Sequence, residues 1–354
     1  MTIPSTAIIG AVVFGAMSSF SPGAQAWDHP GHMVSAAIAW SEIERARPEL
    51  IEKIGQVLLS HPDPGPFVVA AGESSGKERF RQMFIECARW PDDARFTIHD
   101  RPAWHTARWP LIAKDAPPKA KAAAKARGDA PAGQALEALT LNFAVLSNPE
   151  AKPAERATAL CWILHLVGDI HQPMHVTDLF SKEFPAGNAA GTTVYVTDPL
   201  SKKKGTMPLH MLWDSNTVRS TELEHVDDHT RKFVKKYPRS ALAELKAHGK
   251  PDAFQEFAKE SHKIAVDFAY GYGIETASDP DKDLNPDRLL KNMIKWIVEG
   301  VSPVKEAPQV PAKYWKKLQD VAHRRITLAG YRIADLIKSA ADRIAAQRKL
   351  TRVP

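Results

Sequence analysis

The chain has 354 residues but only two cysteines, Cys87 and Cys161. That scarcity excludes a disulfide scaffold and a cysteine-rich metal cluster, so any bound metal must be held by histidine and carboxylate. Charge is missing from the first 26 residues, which contain no Lys, Arg, Asp or Glu. No apolar run is long enough to cross a bilayer as a helix, and no repeat of fixed period is present. β-Branched alternation is confined to 192–197, which leaves little material for a sheet. Apolar residues at 44% and charged residues at 25% are ordinary for a globular protein and argue against a disordered chain. The net charge of +6 mildly favours an anionic partner without identifying one.

The uncharged start has a pattern of its own. Residues 7–17 are apolar, Ser, Pro and Gly follow, and Ala24-Gln25-Ala26 has the form of a signal-peptidase site. A secretory signal over 1–26 is expected, with a secreted or periplasmic mature chain that begins at Trp27. Apolar residues at helical spacing then cover about 33–43, 49–59, 136–146, 153–167, 254–271 and 312–348, with a short helix near 289–298. The Lys/Ala/Pro-rich stretch 114–133 reads as an exposed insertion or loose loop, and the region near 190–200 as a small hairpin or extended loop. The expected fold is all-α, a single mainly helical domain over 27–340 followed by a basic tail over 341–354.

The strongest local signal joins His165, Asp169, His171 and His175. On a helix His165 and Asp169, four residues apart, share a face. Pro173 ends that helix and leaves His175 in a loop that can fold back. His210 and Asp214 repeat the four-residue spacing. Two such pairs and a further histidine are the donors a first-row divalent metal needs, and imidazole with carboxylate suits zinc. Once cleaved, the chain would offer the Trp27 amino nitrogen and carbonyl oxygen as a chelate, with His32 within reach. A third stretch supplies Asp92, Asp93 and Arg95, followed by Trp104 and His105.

Together these motifs resemble the zinc-dependent class I nucleases of the S-one/P-one type, which share a fold with bacterial zinc phospholipase C. The matching elements are Trp27 with His32, the Trp90–Asp92–Arg95 spacing, the Trp104–His105 pair, the run from His165 to His175, Gly187–Asn188, the stretch LHMLWD ending at Asp214, and AGYRIA at 329–334. They span residues 27 to about 340, and so the resemblance implies a domain of the phospholipase C/nuclease type. It implies three zinc ions: the first on Asp92, His105, His165 and Asp169, the second on His175, His210 and Asp214, and the third on Trp27 and His32, with Asp169 bridging the first and third. Arg95 and Asp169 are the implied catalytic residues, and Asn188, Trp104 and Trp109 the candidate substrate contacts. The implied activity is endonucleolytic hydrolysis of single-stranded RNA and DNA to 5′-phosphorylated products. A 3′-nucleotidase activity is a second expectation, with a monomer favoured and no membrane span after signal cleavage.

Three departures qualify the resemblance, the first being Ala186-Gly187-Asn188 in place of the usual Gly-Gly-Asn. Thr106 stands where the family often has a base-stacking aromatic, and Arg108 where an acidic residue or Asn helps orient water. Arg108 keeps open a non-catalytic exported zinc-binding protein. Zinc phospholipase C is the other alternative, disfavoured by the short Trp27–His32 gap and by Asp214 in place of Glu. For Cys87 and Cys161, a disulfide and two buried thiols both remain open.

Overall fold

The first helix begins where the sequence provides a cap. The Asp28 carboxylate accepts from the Gly31 amide at 3.3 Å, and Pro30 sits in the first turn of α1 (His29–Ala46). The computed structural model describes residues 27–200, 205–215, 220–271, 274–279 and 302–350, with positions 291 and 295 between them. The expected signal segment, most of the expected helix near 289–298 and the last four residues of the tail lie outside the described residues. After α1 come α2 (Glu49–Leu59), α3 (Gly65–Ala71), α4 (Gly76–Cys87) and the single turn α5 (Trp90–Asp93). Next are β1 (Trp109–Ile112), α6 (Pro118–Ala126), α7 (Ala135–Leu146) and α8 (Pro153–Asp169). The chain continues through β2 (Thr177–Phe180), β3 (Val194–Thr197), β4 (Thr206–Pro208), α9 (Leu209–Asp214) and α10 (Leu223–Lys236). It closes with α11 (Glu244–Ala247), α12 (Phe254–Ile264), β5 (Ala277–Ser278) and the long α13 (Ala312–Leu350). The architecture is mainly helical, as the sequence leads one to expect.

Helix α8 is the axis of the molecule. Pro153 opens it, and the Lys152 amide donates to the Glu155 carboxylate at 3.1 Å, closing the first turn. Every residue from 159 to 169 is buried, the signature of an interior helix. Helices α1, α2, α5, α7 and α13 enclose it, and α1 packs along α13. Trp40, Phe84, Leu164 and Ile333 meet in this core, each contributing about 1.5–3 kcal/mol of burial. No helix among the described residues is long and apolar enough to cross a membrane.

The hairpin expected near 190–200 is present: β3 pairs antiparallel with β4, and β5 adds to its other edge. A parallel pairing of β1 with β2, from Trp109 opposite Thr177 to Ile112 opposite Phe180, is not foreshadowed. Pro110 and Asp178 interrupt the alternation that would signal a strand. The stretch 114–133 also differs from the loose insertion expected, because it contains α6. Ala120 and Ala124, four apart, form an apolar stripe packed on Phe180, while Lys119, Lys121 and Lys125 face outward. Residues 341–350 of the basic tail continue α13.

Candidate metal centre

The last turn of α8 holds His165 and Asp169, both completely buried. The His165 Nδ1–H donates to the Ala88 carbonyl at 2.9 Å, which leaves Nε2 facing inward. That nitrogen lies 3.0 Å from His105 Nδ1, 3.4 Å from Asp169 Oδ1 and 3.8 Å from Asp92 Oδ1. Asp92 comes from α5, and a 3₁₀ turn over Pro102–His105 delivers His105, whose Nδ1 is 3.2 Å from Asp169 Oδ2. The first turn of α1 adds His32, its Nε2 3.4 Å from Asp169 Oδ1 and its ring stacked on His165 at 3.9 Å. Gly168 permits this approach, because a Cβ there would stand 2.7 Å from His32 Nδ1. The Trp27 indole donates to the Gly168 carbonyl at 3.0 Å, and the Asp28 amide to the Asp214 carbonyl at 3.2 Å. Residues 27 and 28 are thereby tied to both α8 and α9. Asp93, the neighbouring carboxylate, accepts two hydrogen bonds from Arg89 at 2.8 and 3.0 Å.

A second group forms beside the first. On α9, His210 Nε2 is 3.3 Å from Asp214 Oδ2, and His175 Nε2 is 3.9 Å from Asp214 Oδ1. Each ring is fixed from behind: His175 Nδ1–H donates to the His105 carbonyl at 2.7 Å, and His210 Nδ1–H to the Ala190 carbonyl at 2.8 Å. The Ala107 amide donates to the His175 carbonyl at 3.0 Å, so the two histidine-bearing segments run side by side into the β1–β2 pairing. Gln172 donates through Nε2 to Asp214 Oδ1 at 2.6 Å and leaves Oδ2 turned toward His210.

The carbonyl behind His210 belongs to a tight loop over 187–191. Ala189 and Ala190 both have left-handed backbones, φ 49° and 60°, a conformation that costs roughly 1–3 kcal/mol per non-glycine residue. Asn188 and Asp178 hold it in place. Asn188 Oδ1 accepts from the Leu179 and Gly191 amides at 3.0 and 3.3 Å, and Asp178 Oδ1 accepts from the Ala190 amide at 3.2 Å. Asn188, read as a substrate contact, is completely buried, with its Nδ2 donating to the Tyr270 hydroxyl at 3.1 Å. Its amide shapes the loop.

Burial pushes Asp169 well above the usual carboxylate range, and the Asp92 charge adds to the effect. Burial likewise raises Asp214 and drives His32 and His105 well below the usual imidazole value. Asp92 Oδ2, Asp169 Oδ1, Asp214 Oδ2, His105 Nε2 and both ring nitrogens of His32 are buried and meet no hydrogen-bond partner among the described residues. Three sets of donors lie close enough to share an ion: His32, Asp92 and His165; His105, His165 and Asp169; His175, His210 and Asp214. Arg95, 7% exposed, donates to Asp92 Oδ1 at 2.8 Å and brings one positive charge to these carboxylates. Orphaned buried acceptors, excess negative charge and a nitrogen/carboxylate donor set fit divalent cations, and imidazole with carboxylate suits zinc.

The remaining candidates pack into the protein. Trp109 is buried, its Nε1 donates to the Asp129 carbonyl at 3.3 Å, and its ring lies 5.9 Å from His262. Trp104 is half-buried, edge-on to Trp162 at 4.8 Å. Arg108 is half-buried, its backbone paired with that of Ala132. Cys87 and Cys161 are free, buried thiols in contact. The sequence reading gave no role to Gln172, Asp178, Ala88 or Ala190, which orient the donors. Only Gln172, inside the strongest motif, carried a signal.

The sequence profile described as S1/P1 nuclease matches residues 27–342, nearly the whole described chain. No curated protein matches the sequence significantly.

Proposed function

The chain belongs to the S1/P1 nuclease family, hydrolases of phosphodiester bonds, and from that premise we propose an exported, zinc-dependent endonuclease that cleaves single-stranded RNA and DNA to 5′-phosphorylated products. One observation carries the metal reading. Asp169 presents its two oxygens to three imidazoles from three separate segments: Oδ1 to His32 and His165 at 3.4 Å, and Oδ2 to His105 at 3.2 Å. A carboxylate so placed could serve cations on both of its oxygens, a role that a single ion pair would not need.

In this reading Asp92, His105, His165 and Asp169 hold the first zinc, and His175, His210 and Asp214 the second. Trp27 and His32 hold the third, once removal of 1–26 frees the Trp27 amine. Bound zinc would polarise the phosphoryl group and bring the pKa of an attacking water to about 7. Arg95, held against Asp92, brings a fixed positive charge to the phosphoryl oxygens as they gain charge in the transition state. Gln172 and the carbonyls of Ala88, His105 and Ala190 keep the donors from turning away.

The test is made on purified mature protein, with metal content and the amino-terminal residue determined in the same preparation. Three zinc per chain, Trp27 first, and turnover of single-stranded DNA that stops on chelation are expected. Zero or one zinc, or full activity after chelation, would remove the mechanism. Faster cleavage of phosphatidylcholine than of single-stranded DNA would transfer the site to lipid hydrolysis. An intact zinc complement without turnover would leave only zinc binding.

A further inference from the structure

The basic insertion reaches the metal centre through an ion pair between half-buried Arg127 and buried Asp178. Arg127 follows α6 directly, and its Nη1 donates to Asp178 Oδ2 at 2.7 Å, while Nη2 donates to the Ala186 carbonyl at 3.3 Å. Its guanidinium also lies over the Phe180 ring, 4.6 Å from the centroid. Asp178 is 1% exposed, so its charge depends on this arginine for compensation. The other carboxylate oxygen accepts from the Ala190 amide, and the Ala190 carbonyl accepts from His210 Nδ1–H. Gly187 (φ 99°) lets the loop close on Asp178, since a Cβ there would stand 3.0 Å from each carboxylate atom.

We infer that Arg127 is a positioning residue for the second metal: through Asp178 and the left-handed Ala190 it fixes the ring of His210. This inference rests on the reading of His210 as a metal ligand. Without Arg127, Asp178 becomes an uncompensated buried carboxylate. It then draws in water, which weakens its hold on a loop that two alanines enter against their conformational preference. The His210 Nδ1–H loses a fixed acceptor, and the imidazole loses the orientation that aims Nε2 beside Asp214. The lysines of the same insertion, exposed on α6, take no part.

Zinc affinity is measured by competition with a chromophoric chelator on the mature full-length chain, for wild type, R127M, R127M/D178N, H210A and K119A/K121A/K125A. R127M should release one equivalent about 10–100-fold more readily than wild type, as expected for loss of an outer-shell partner. The other equivalents should be unaffected, and the triple lysine variant should behave as wild type. R127M/D178N removes both charges but keeps an acceptor for the Ala190 amide, and it should recover most of the lost affinity. A purely structural Arg127 would change melting temperature without singling out one metal. If H210A loses an equivalent while R127M binds as wild type, the inference is overturned and the metal reading stands. A double variant as weak as R127M also overturns it. If H210A retains every equivalent, the metal reading falls and takes the inference with it.

Discussion

Asp169 and His171 are two residues apart and equally buried, yet they enter two opposite kinds of polar cluster. Around His171 the protein supplies its own partners. Its Nδ1–H donates to the Val167 carbonyl at 2.6 Å, and Arg332 Nη1 donates to its Nε2 at 2.8 Å. Burial, then the charges of Arg325 and Arg332, push that imidazole well below its usual value, so it stays neutral. Glu260 receives Arg325 and Arg332 at 2.8 Å each and His248 at 2.7 Å. Arg325 Nε caps the His171 carbonyl at 3.2 Å, and Ser261 caps that of Ile170 at 2.6 Å. Around Asp169, by contrast, buried acceptors are left over: Asp169 Oδ1, Asp92 Oδ2 and Asp214 Oδ2 meet no donor among the described residues. The first cluster is satisfied as folded except at Arg332 Nε, whereas the second leaves several buried carboxylate oxygens that only cations would meet. Depth of burial does not separate a structural polar cluster from a functional one; the bookkeeping of donors and acceptors does.

The comparison breaks most sharply if Asp169 proves dispensable. D169N keeps the shape but removes the negative charge and one oxygen donor from the centre of the first group. Loss of several kcal/mol of transition-state stabilisation is expected, about a thousandfold in kcat/KM, with fewer zinc equivalents bound. Steady-state kinetics and metal analysis on one preparation decide it, and near-wild-type values for both would end the bridging role. The complementary change is E260Q. It leaves two guanidiniums, each 3% exposed, without their anion, and a cost of about 3–5 kcal/mol is expected. Denaturant unfolding should show that loss while the folded fraction still binds its full zinc complement. A variant with normal stability and depleted zinc would reverse the roles assigned to the two clusters.

Much of this was legible in the sequence because helical spacing is a local rule. The four-residue separations of His165 from Asp169 and His210 from Asp214 place each pair on one face whatever the rest of the chain does. The helix over 153–167 followed from its apolar spacing in the same way, but its complete burial from 159 to 169 did not. Long-range pairing was not legible. Nothing in the sequence around Trp109 announces a partner at Thr177, yet that parallel ladder carries His105 and His175 side by side. The same limit misplaced Asn188, whose amide is committed to the Leu179 and Gly191 amides and to Tyr270. It also hid α6 behind a lysine-rich composition, where two alanines determine the packing. Side-chain identity fixes what a residue can donate, but only the fold fixes which partner it meets.

The smallest expected effect, and the finest test of the contrast, comes from Gln172. It stands between the two clusters in sequence and behaves like a member of the self-satisfied one, yet its Nε2–H is spent on an Asp214 oxygen. Its Oε1 accepts from the Met174 amide and shapes the turn that carries His175. Q172L removes both bonds with little change in volume. Asp214 is then free to rotate, and either oxygen can face His210. Affinity at the second group should fall about 10–100-fold while the first group binds as before. Q172E replaces the donor with an acceptor 2.6 Å from Asp214 Oδ1, so the two carboxyls must share a proton to coexist. Affinity at neutral pH should then fall further than in Q172L and partly recover as pH drops enough to supply that proton. Chelator competition at two pH values reads both effects. Equal affinities in Q172L, Q172E and wild type would mean that Asp214 is oriented by its own helix alone.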